Sequence, residues 1–368
     1  MKKYLLSIAV LLAATVSFTS CDDDNDGPEE QPKYTDVLNG VYVVNEGSYY
    51  SQINGSLDFL AYDDATKSYT MTRNIFDTYN GRSLGGTPNN ALIYADSVLC
   101  IAVTDENRIE FVNTNTKKAS AHITIQQPRE LAWETGSKYL YVSSYTGKVT
   151  KIDMTTRTIA AESAQIGANL EGIAISGEDL YVCNSYNADY TYNKNVVKLN
   201  ASTLAKVKDI NVVDNPTKVI AVGTRTFVLS MGNYADKPAT VQLVSGERID
   251  SIGAATMMAY DKVRERLYMI NAPYGGKVEY KVYNVKTKKT TDFITSSSIF
   301  SPYDIAVDEI TGEVYISSLS EDKNYGGASY TTDGKLYRIS DNGLELGSYD
   351  CGVNPGTIVC HSSKKLIK

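Results

Sequence analysis

From about residue 40 to the C-terminus, short apolar runs rich in Val, Ile, Leu and Tyr alternate with clusters of Gly, Asn, Asp and Pro. No stretch sustains helical spacing, so the pattern predicts an all-β chain. Aligning the runs exposes a repeat. One strand opens, in most units after a proline, at Pro88, Pro128, Leu170, Pro216, Thr256, Pro302 and Pro355, with spacings of 40, 42, 46, 40, 46 and 53 residues. A second strand follows each of the first six openings: Leu99–Val103, Leu140–Ser143, Leu180–Cys183, Thr226–Leu229, Leu267–Ile270 and Val314–Ser317. A third strand then runs, in five units, into an Asx-x-x-Thr turn headed by Asp63, Asn113, Asp153, Asn200 or Asn284. Asn and Asp suit that position because their side chains bond the backbone two residues on.

Four antiparallel strands per repeat, seven times over, predict a seven-bladed β-propeller spanning residues 36–368. A regular sandwich or a solenoid is the alternative. Closure is written at the two ends of the chain. Gly40–Val44 matches second strands and Pro355–Cys360 matches first strands, so the C-terminal strand is expected to complete the first blade and remove its free edge.

In such a blade the loops after strands two and four emerge on one face, and those after strands one and three on the other. The second group is short. The first is long and rich in tyrosine: it carries Tyr49 and Tyr50, Tyr145, Asn184 with Tyr186, Tyr190 and Tyr192, then Tyr234, Tyr274, Tyr325 and Tyr330. The connection from the first unit to the second adds Phe76, Tyr79 and Arg82. Tyrosine outnumbers phenylalanine by 28 to 7, more than a plain apolar core requires. Tyr42, Tyr141, Tyr181, Tyr268 and Tyr315 sit in second strands and are expected to pack between blades. The loop tyrosines offer flat apolar faces with a hydroxyl and few rotors, the makings of a binding surface. All fourteen loop and connection residues named above are therefore candidate ligand contacts.

The N-terminus has a different character. Met1-Lys2-Lys3-Tyr4 precedes an apolar run from Leu5 to Phe18, too short for a comfortable membrane span and typical of a signal peptide. Residues 1–20 are read as that peptide. Phe18-Thr19-Ser20-Cys21 resembles a bacterial lipobox, which implies a lipid anchor on Cys21. Residues 21–35 then form an acidic tether, with six acids and one lysine between positions 22 and 33. An acidic run directly after the cysteine resembles the surface-export signal of Bacteroidota lipoproteins. The expected location is the outer membrane, lipid-anchored and facing the exterior, with retention on the inner leaflet as the alternative.

Composition narrows the chemistry. A net charge of −7 without a basic stripe argues against a nucleic-acid partner, and two histidines make a histidine-based catalytic or metal centre improbable. His122 and His361 lie in strand-like segments away from the tyrosine loops, so neither is an expected axial ligand. Cys100 and Cys183 read as small core residues; Cys351 and Cys360 bracket a Gly-Pro turn, and their pairing is open. The chain holds no Ser-His-Asp set, CxxC pair, phosphate loop or dinucleotide fingerprint.

Asn45-Glu46-Gly47 after the first strand, Asn80-Gly81-Arg82-Ser83-Leu84-Gly85 before the second unit and the closing Gly352-Val353-Asn354-Pro355-Gly356 resemble one group. These are the YncE-like surface-lipoprotein propellers of Bacteroidota, which include the cobalamin-capturing BtuG proteins. The likeness runs from the lipobox through all seven units. It implies a non-enzymatic protein that captures a corrinoid and passes it to a TonB-dependent outer-membrane transporter, the corrinoid being cargo and not cofactor. Three alternatives stand beside it. One is capture of a siderophore or glycan. Another is a lactonase-like hydrolase holding calcium in the central channel through Glu46, Glu171, Asn184 and Asp304. The last is an interaction scaffold that docks on a partner.

Overall fold

The computed structural model describes residues 33–366; the signal peptide, Cys21 and nearly all of the tether lie outside them. Each repeat folds as the apolar pattern requires. In the inner strands Pro88–Tyr94, Pro128–Trp133 and Pro216–Val222 the opening proline and the residue three further on (Ala91, Leu131 and Val219) are buried. The result is seven four-stranded antiparallel sheets, a seven-bladed β-propeller. Six sheets run in chain order from the inner strand outward. The first consists of Pro355–Leu366, Tyr34–Asn45, Ser56–Asp63 and Ser68–Thr72, so the C-terminal strand is its innermost member.

That closing pair is longer than the sequence pattern suggested. Tyr34–Asn45 and Pro355–Leu366 are twelve residues each, paired from Tyr34↔Leu366 to Asn45↔Pro355 with a bulge at Leu38/Gly40. A Cβ at Gly40 (φ +151°) would stand 2.3 Å from the Leu60 carbonyl oxygen, so glycine lets the bulge lie against the next strand. One short helix, Ile75–Asn80, joins the first blade to the second. No helix among the described residues is long and apolar enough to cross a membrane.

Between blades the core is continuous. Tyr42, Tyr268 and Tyr315 are fully buried and Tyr141 nearly so, while Tyr181 is half-buried. Tyr42 donates from its hydroxyl to the Thr114 carbonyl (3.1 Å) and Tyr141 to the Ala201 carbonyl (2.9 Å), each reaching the third-to-fourth strand turn of the next blade. A fully buried aromatic of this kind contributes about 1.5–3 kcal/mol over its exposed counterpart. Cys100 and Cys183 are buried among apolar neighbours, and all four cysteines in the described residues are free thiols.

The Asx-x-x-Thr turns form as drawn. Asn113 Oδ1 accepts from Thr116 N (2.8 Å), Asn200 Oδ1 from Thr203 N (2.9 Å) and Asn284 Oδ1 from Thr287 N (2.8 Å). A second recurring device lies at the opposite end of the blades. The residue before the inner-strand proline is left-handed at Thr87 (φ 49°), Gln127 (44°), Asn215 (60°) and Asn354 (53°). Its carbonyl accepts from the first N–H after strand two: Thr104, Tyr145, Met231 and Glu46, at 2.7–3.1 Å. This joint fastens the root of a second-strand loop to the channel mouth.

A left-handed backbone is tolerated by Asn and strongly disfavoured for β-branched side chains. Gln127 is exposed, so its replacement probes the joint alone. In urea unfolding, Gln127→Asn is expected to stay within about 0.5 kcal/mol of the parent or gain stability, whereas Gln127→Val loses about 1 kcal/mol or more. Equal effects of the two substitutions would contradict the joint.

Candidate functional site

Topology assigns the loops to faces. Strand-two loops and inner-strand entrances share one end of the propeller because neighbouring strands are antiparallel. Of ten exposed tyrosines among the described residues, eight lie at this end: Tyr49, Tyr50, Tyr190, Tyr192, Tyr234, Tyr274, Tyr325 and Tyr330. Tyr34, at the start of its strand, is one exception, and the predicted contact Tyr79 is the other. Tyr79 closes the helix Ile75–Asn80 beside the Asn113–Lys118 turn, where its carbonyl accepts from Lys118 Nζ and Asn80 Nδ2 donates to the Lys117 carbonyl at 3.1 Å. Tyr274 and Tyr50 stand nearly free in solvent, at 108% and 97% exposure. Several rings meet: Tyr49 with Tyr50 edge-on at 5.4 Å, Tyr192 with Tyr234 at 5.9 Å, and Tyr186 stacked on Tyr190 at 6.0 Å. Phe300, also exposed at this end, was missed by a search for tyrosine.

Three further predicted contacts differ. Phe76 is fully buried with Ile75 and Leu84 in the core between the first two blades, so it presents no surface to a ligand. Arg82 lies over its ring at 4.8 Å and grips the buried Glu110 through two bonds of 2.7 Å. That guanidinium is committed to the fold, though it also borders a hollow of about 380 Å³ with Arg108 and His122. Asn184 is buried at 8% exposure and donates to Asn195 Oδ1 at 3.1 Å, supporting its loop from below. Burial separates Phe76 and Asn184 from the tyrosines, and the pairing with Glu110 separates Arg82; residue type alone reveals neither.

At the centre of the same end lies a cavity of about 290 Å³. Its walls come from the first residues of the inner strands: Asn89, Arg129 and Glu130, Glu171, Thr217 and Lys218, Met257, Tyr303 and Asp304, and Gly356. Glu46 enters from the loop after strand two of the first blade, positioned by its N–H on the Asn354 carbonyl (2.7 Å). Its carboxylate occupies the space above Gly356, where a Cβ would stand 2.2 Å from Oε1. Arg129 donates to Glu171 at 3.0 and 3.3 Å and lies over the Tyr145 ring at 4.3 Å. Tyr145 donates its hydroxyl to the same Glu171, and Tyr186 meets Tyr145 at 5.9 Å, so an aromatic path leads from the channel to Tyr190. Lys218 Nζ pairs with Asp304 at 3.4 Å, and Asp304 also accepts from Ile358 N at 3.1 Å.

Two carboxylates have no cation of their own. Glu46 accepts only the Tyr303 hydroxyl, at 2.9 Å, and Glu130 has no side-chain hydrogen-bond partner among the described residues. Burial pushes both up to about 7, against partial relief for Glu46 from Tyr303 and Arg129 and for Glu130 from Lys218. Of the four residues considered for a channel calcium site, Glu46, Glu171 and Asp304 do line the cavity and Asn184 does not. No group of three or more His, Cys, Asp or Glu side chains placed to hold a metal occurs among the described residues. The sequence signal for Arg129, Glu130, Lys218 and Tyr303 was available: each stands one or two residues after a strand-opening proline.

Residues 95–250 match the family model described as the cytochrome D1 heme domain. Among solved structures, the chain resembles hydrazine synthase of Kuenenia stuttgartiensis, with a TM-score of 0.58 at 15% identity, covering 76% of this chain and 95% of that one. It also resembles U3-55K (TM-score 0.53, 13% identity, 72% and 81% covered) and the WD40 repeats of RRP9 (0.53, 12%, 72% and 80%). At these identities the likeness speaks to the propeller fold. Comparison with curated protein sequences finds no significant match. A histidine-ligated haem does not fit the channel. His361 is buried in the closing strand with Nε2 at 3.2 Å from the Asp96 carbonyl, and His122 borders the outer hollow beside Arg82.

The raised carboxylates have a consequence for stability. Both folded-state values lie above the ordinary 4.5, so between about pH 4.5 and 7 the folded protein holds more protons than the unfolded chain. Stability is therefore lost as the pH rises through that window. The parent is expected to lose about 2 °C or more of melting temperature between pH 5.5 and 7.5 relative to the Glu46→Gln/Glu130→Gln variant. Identical pH profiles for the two proteins would contradict the assignment.

Proposed function

We propose that the protein is a non-catalytic capture protein whose tyrosine-bearing end receives a broad, partly apolar ligand. The carrying observation is the gathering of eight of the ten exposed tyrosines among the described residues at one end of the propeller. Tyrosine rings have few rotors and lose little freedom on binding, which favours affinity without a chemical step. The central cavity, about 290 Å³, is at the lower limit of drug-sized pockets, so a large ligand lies across the rim and not inside the channel.

The resemblance to YncE-like lipoproteins supplies the finer reading: the ligand is a corrinoid of the cobalamin type, and its destination a TonB-dependent transporter. Ring edges of tyrosine cover apolar flanks of such a ligand, while Asn, Ser and backbone groups between them meet its amides. Cys21, on this reading, tethers the propeller to the outer membrane. The calcium-dependent hydrolase is disfavoured because Arg129 and Lys218 already hold Glu171 and Asp304.

Calorimetry with cobalamin and cobinamide at micromolar protein is expected to show saturable binding and unaltered ligand afterwards. Tyr190→Ala and Tyr274→Ala each weaken binding by about tenfold, as removal of an exposed aromatic contact costs roughly 1.4 kcal/mol, while stability stays within about 0.5 kcal/mol. No heat and no thermal shift with either corrinoid would remove the corrinoid. Siderophores and glycans tested alongside would then show whether capture itself survives.

A further inference from the structure

The channel mouth carries more negative charge than its ion pairs use. Arg129 answers Glu171 and Lys218 answers Asp304, which leaves Glu46 and Glu130 as two surplus carboxylates around one cavity. Every inner strand contributes to the wall, and among the described residues no other cation lines it: Asn89, Thr217, Met257 and Gly356 are uncharged, as is Thr256 beside them. We propose that the channel mouth is a binding site for a small organic dication bearing primary ammonium groups, with Glu46 and Glu130 as its counter-charges.

Geometry selects this class of ligand. Glu46 enters from the first blade and Glu130 from the third, and both border a hollow of about 290 Å³; no group of three or more metal-ligating side chains occurs among the described residues. A flexible chain with an ammonium at each end meets two separated charges, which a point ion does not. Aromatic groups complete the site: Tyr303 donates to Glu46, and Tyr145 lines the passage beside Glu171. A bound ammonium also replaces the solvation that burial removes from Glu46 and Glu130, so binding and proton loss are linked. With both groups near pH 7 in the free protein, entry of a dication at pH 7 releases about one proton, half from each carboxylate. The site needs neither a corrinoid nor the outer tyrosines, and stands or falls apart from the capture reading.

The test is calorimetric titration of the protein with 1,4-diaminobutane, against 1,4-butanediol as the uncharged counterpart. Saturable binding of the diamine alone is expected. It should be about 100-fold weaker at pH 6 than at pH 8, with about one proton released at pH 7 when two buffers of different ionisation heat are compared. Glu130→Gln weakens binding by about tenfold or more, and Tyr274→Ala leaves it unchanged. Equal binding of diol and diamine, affinity independent of pH, binding of calcium with none of the diamine, or no heat at millimolar diamine would each overturn the proposal. The pH and diol comparisons use the parent protein, so they decide the matter even if Glu130→Gln fails to fold.

Discussion

Closure of the ring by two strands from opposite ends of the chain is the constraint on which the rest depends. Tyr34–Asn45 has its inner edge satisfied only by Pro355–Leu366, and without that pair the first blade would offer a long unpaired edge to solvent. The same pairing delivers Asn354 to the channel mouth. There its carbonyl takes the Glu46 N–H, and its side-chain amide donates to the Gly47 carbonyl at 2.6 Å. Contacts more than 300 residues apart in sequence thus place one of the two surplus carboxylates. Fold and site share a keystone.

From that closure the electrostatics follow. Inner strands converge on an axis, so whatever side chains open them are forced together, and water is thinned between them. Opposite charges in this position pair across blades, as Arg129 does with Glu171 and Lys218 with Asp304. The carboxylates left over are buried without a cation of their own, and burial makes them hold their protons to higher pH. A cavity with a standing charge deficit costs the folded state stability, the usual signature of a surface shaped for something other than stability. The outer ring obeys another rule. Its loops reach out beyond the strand ends and carry Tyr190, Tyr274 and Tyr325 into water.

The repeat was legible because each blade repeats a local chemistry. Proline opens the inner strand, where no ladder N–H is needed, and Asx with Thr builds the turn from residues only three apart. Face assignment followed from counting strands. What the sequence hid were outcomes of distance. Phe76 and Tyr79 stand three residues apart on one short helix, yet one is sealed in the core and the other half-exposed, as packing against the second blade decides. Asn184 and Tyr186 both belong to the end of strand Asp179–Tyr186, yet Asn184 is buried and Tyr186 only half-buried. The partnership of Lys218 with Asp304 joins residues 86 apart, and no window along the chain announces it. The left-handed Thr87 and Gln127 are likewise imposed by the ring, against their own preference.

The claim that one end of this propeller is its binding surface is most directly tested by hydroxyl-radical footprinting with and without cobinamide. Modification of Tyr49, Tyr50, Tyr190, Tyr192, Tyr234, Tyr274, Tyr325 and Tyr330 is read against exposed side chains at the other end, such as Val263. Protection confined to the tyrosine-bearing loops is the predicted result. Protection at the opposite end, or an unchanged pattern at saturating ligand, would contradict it.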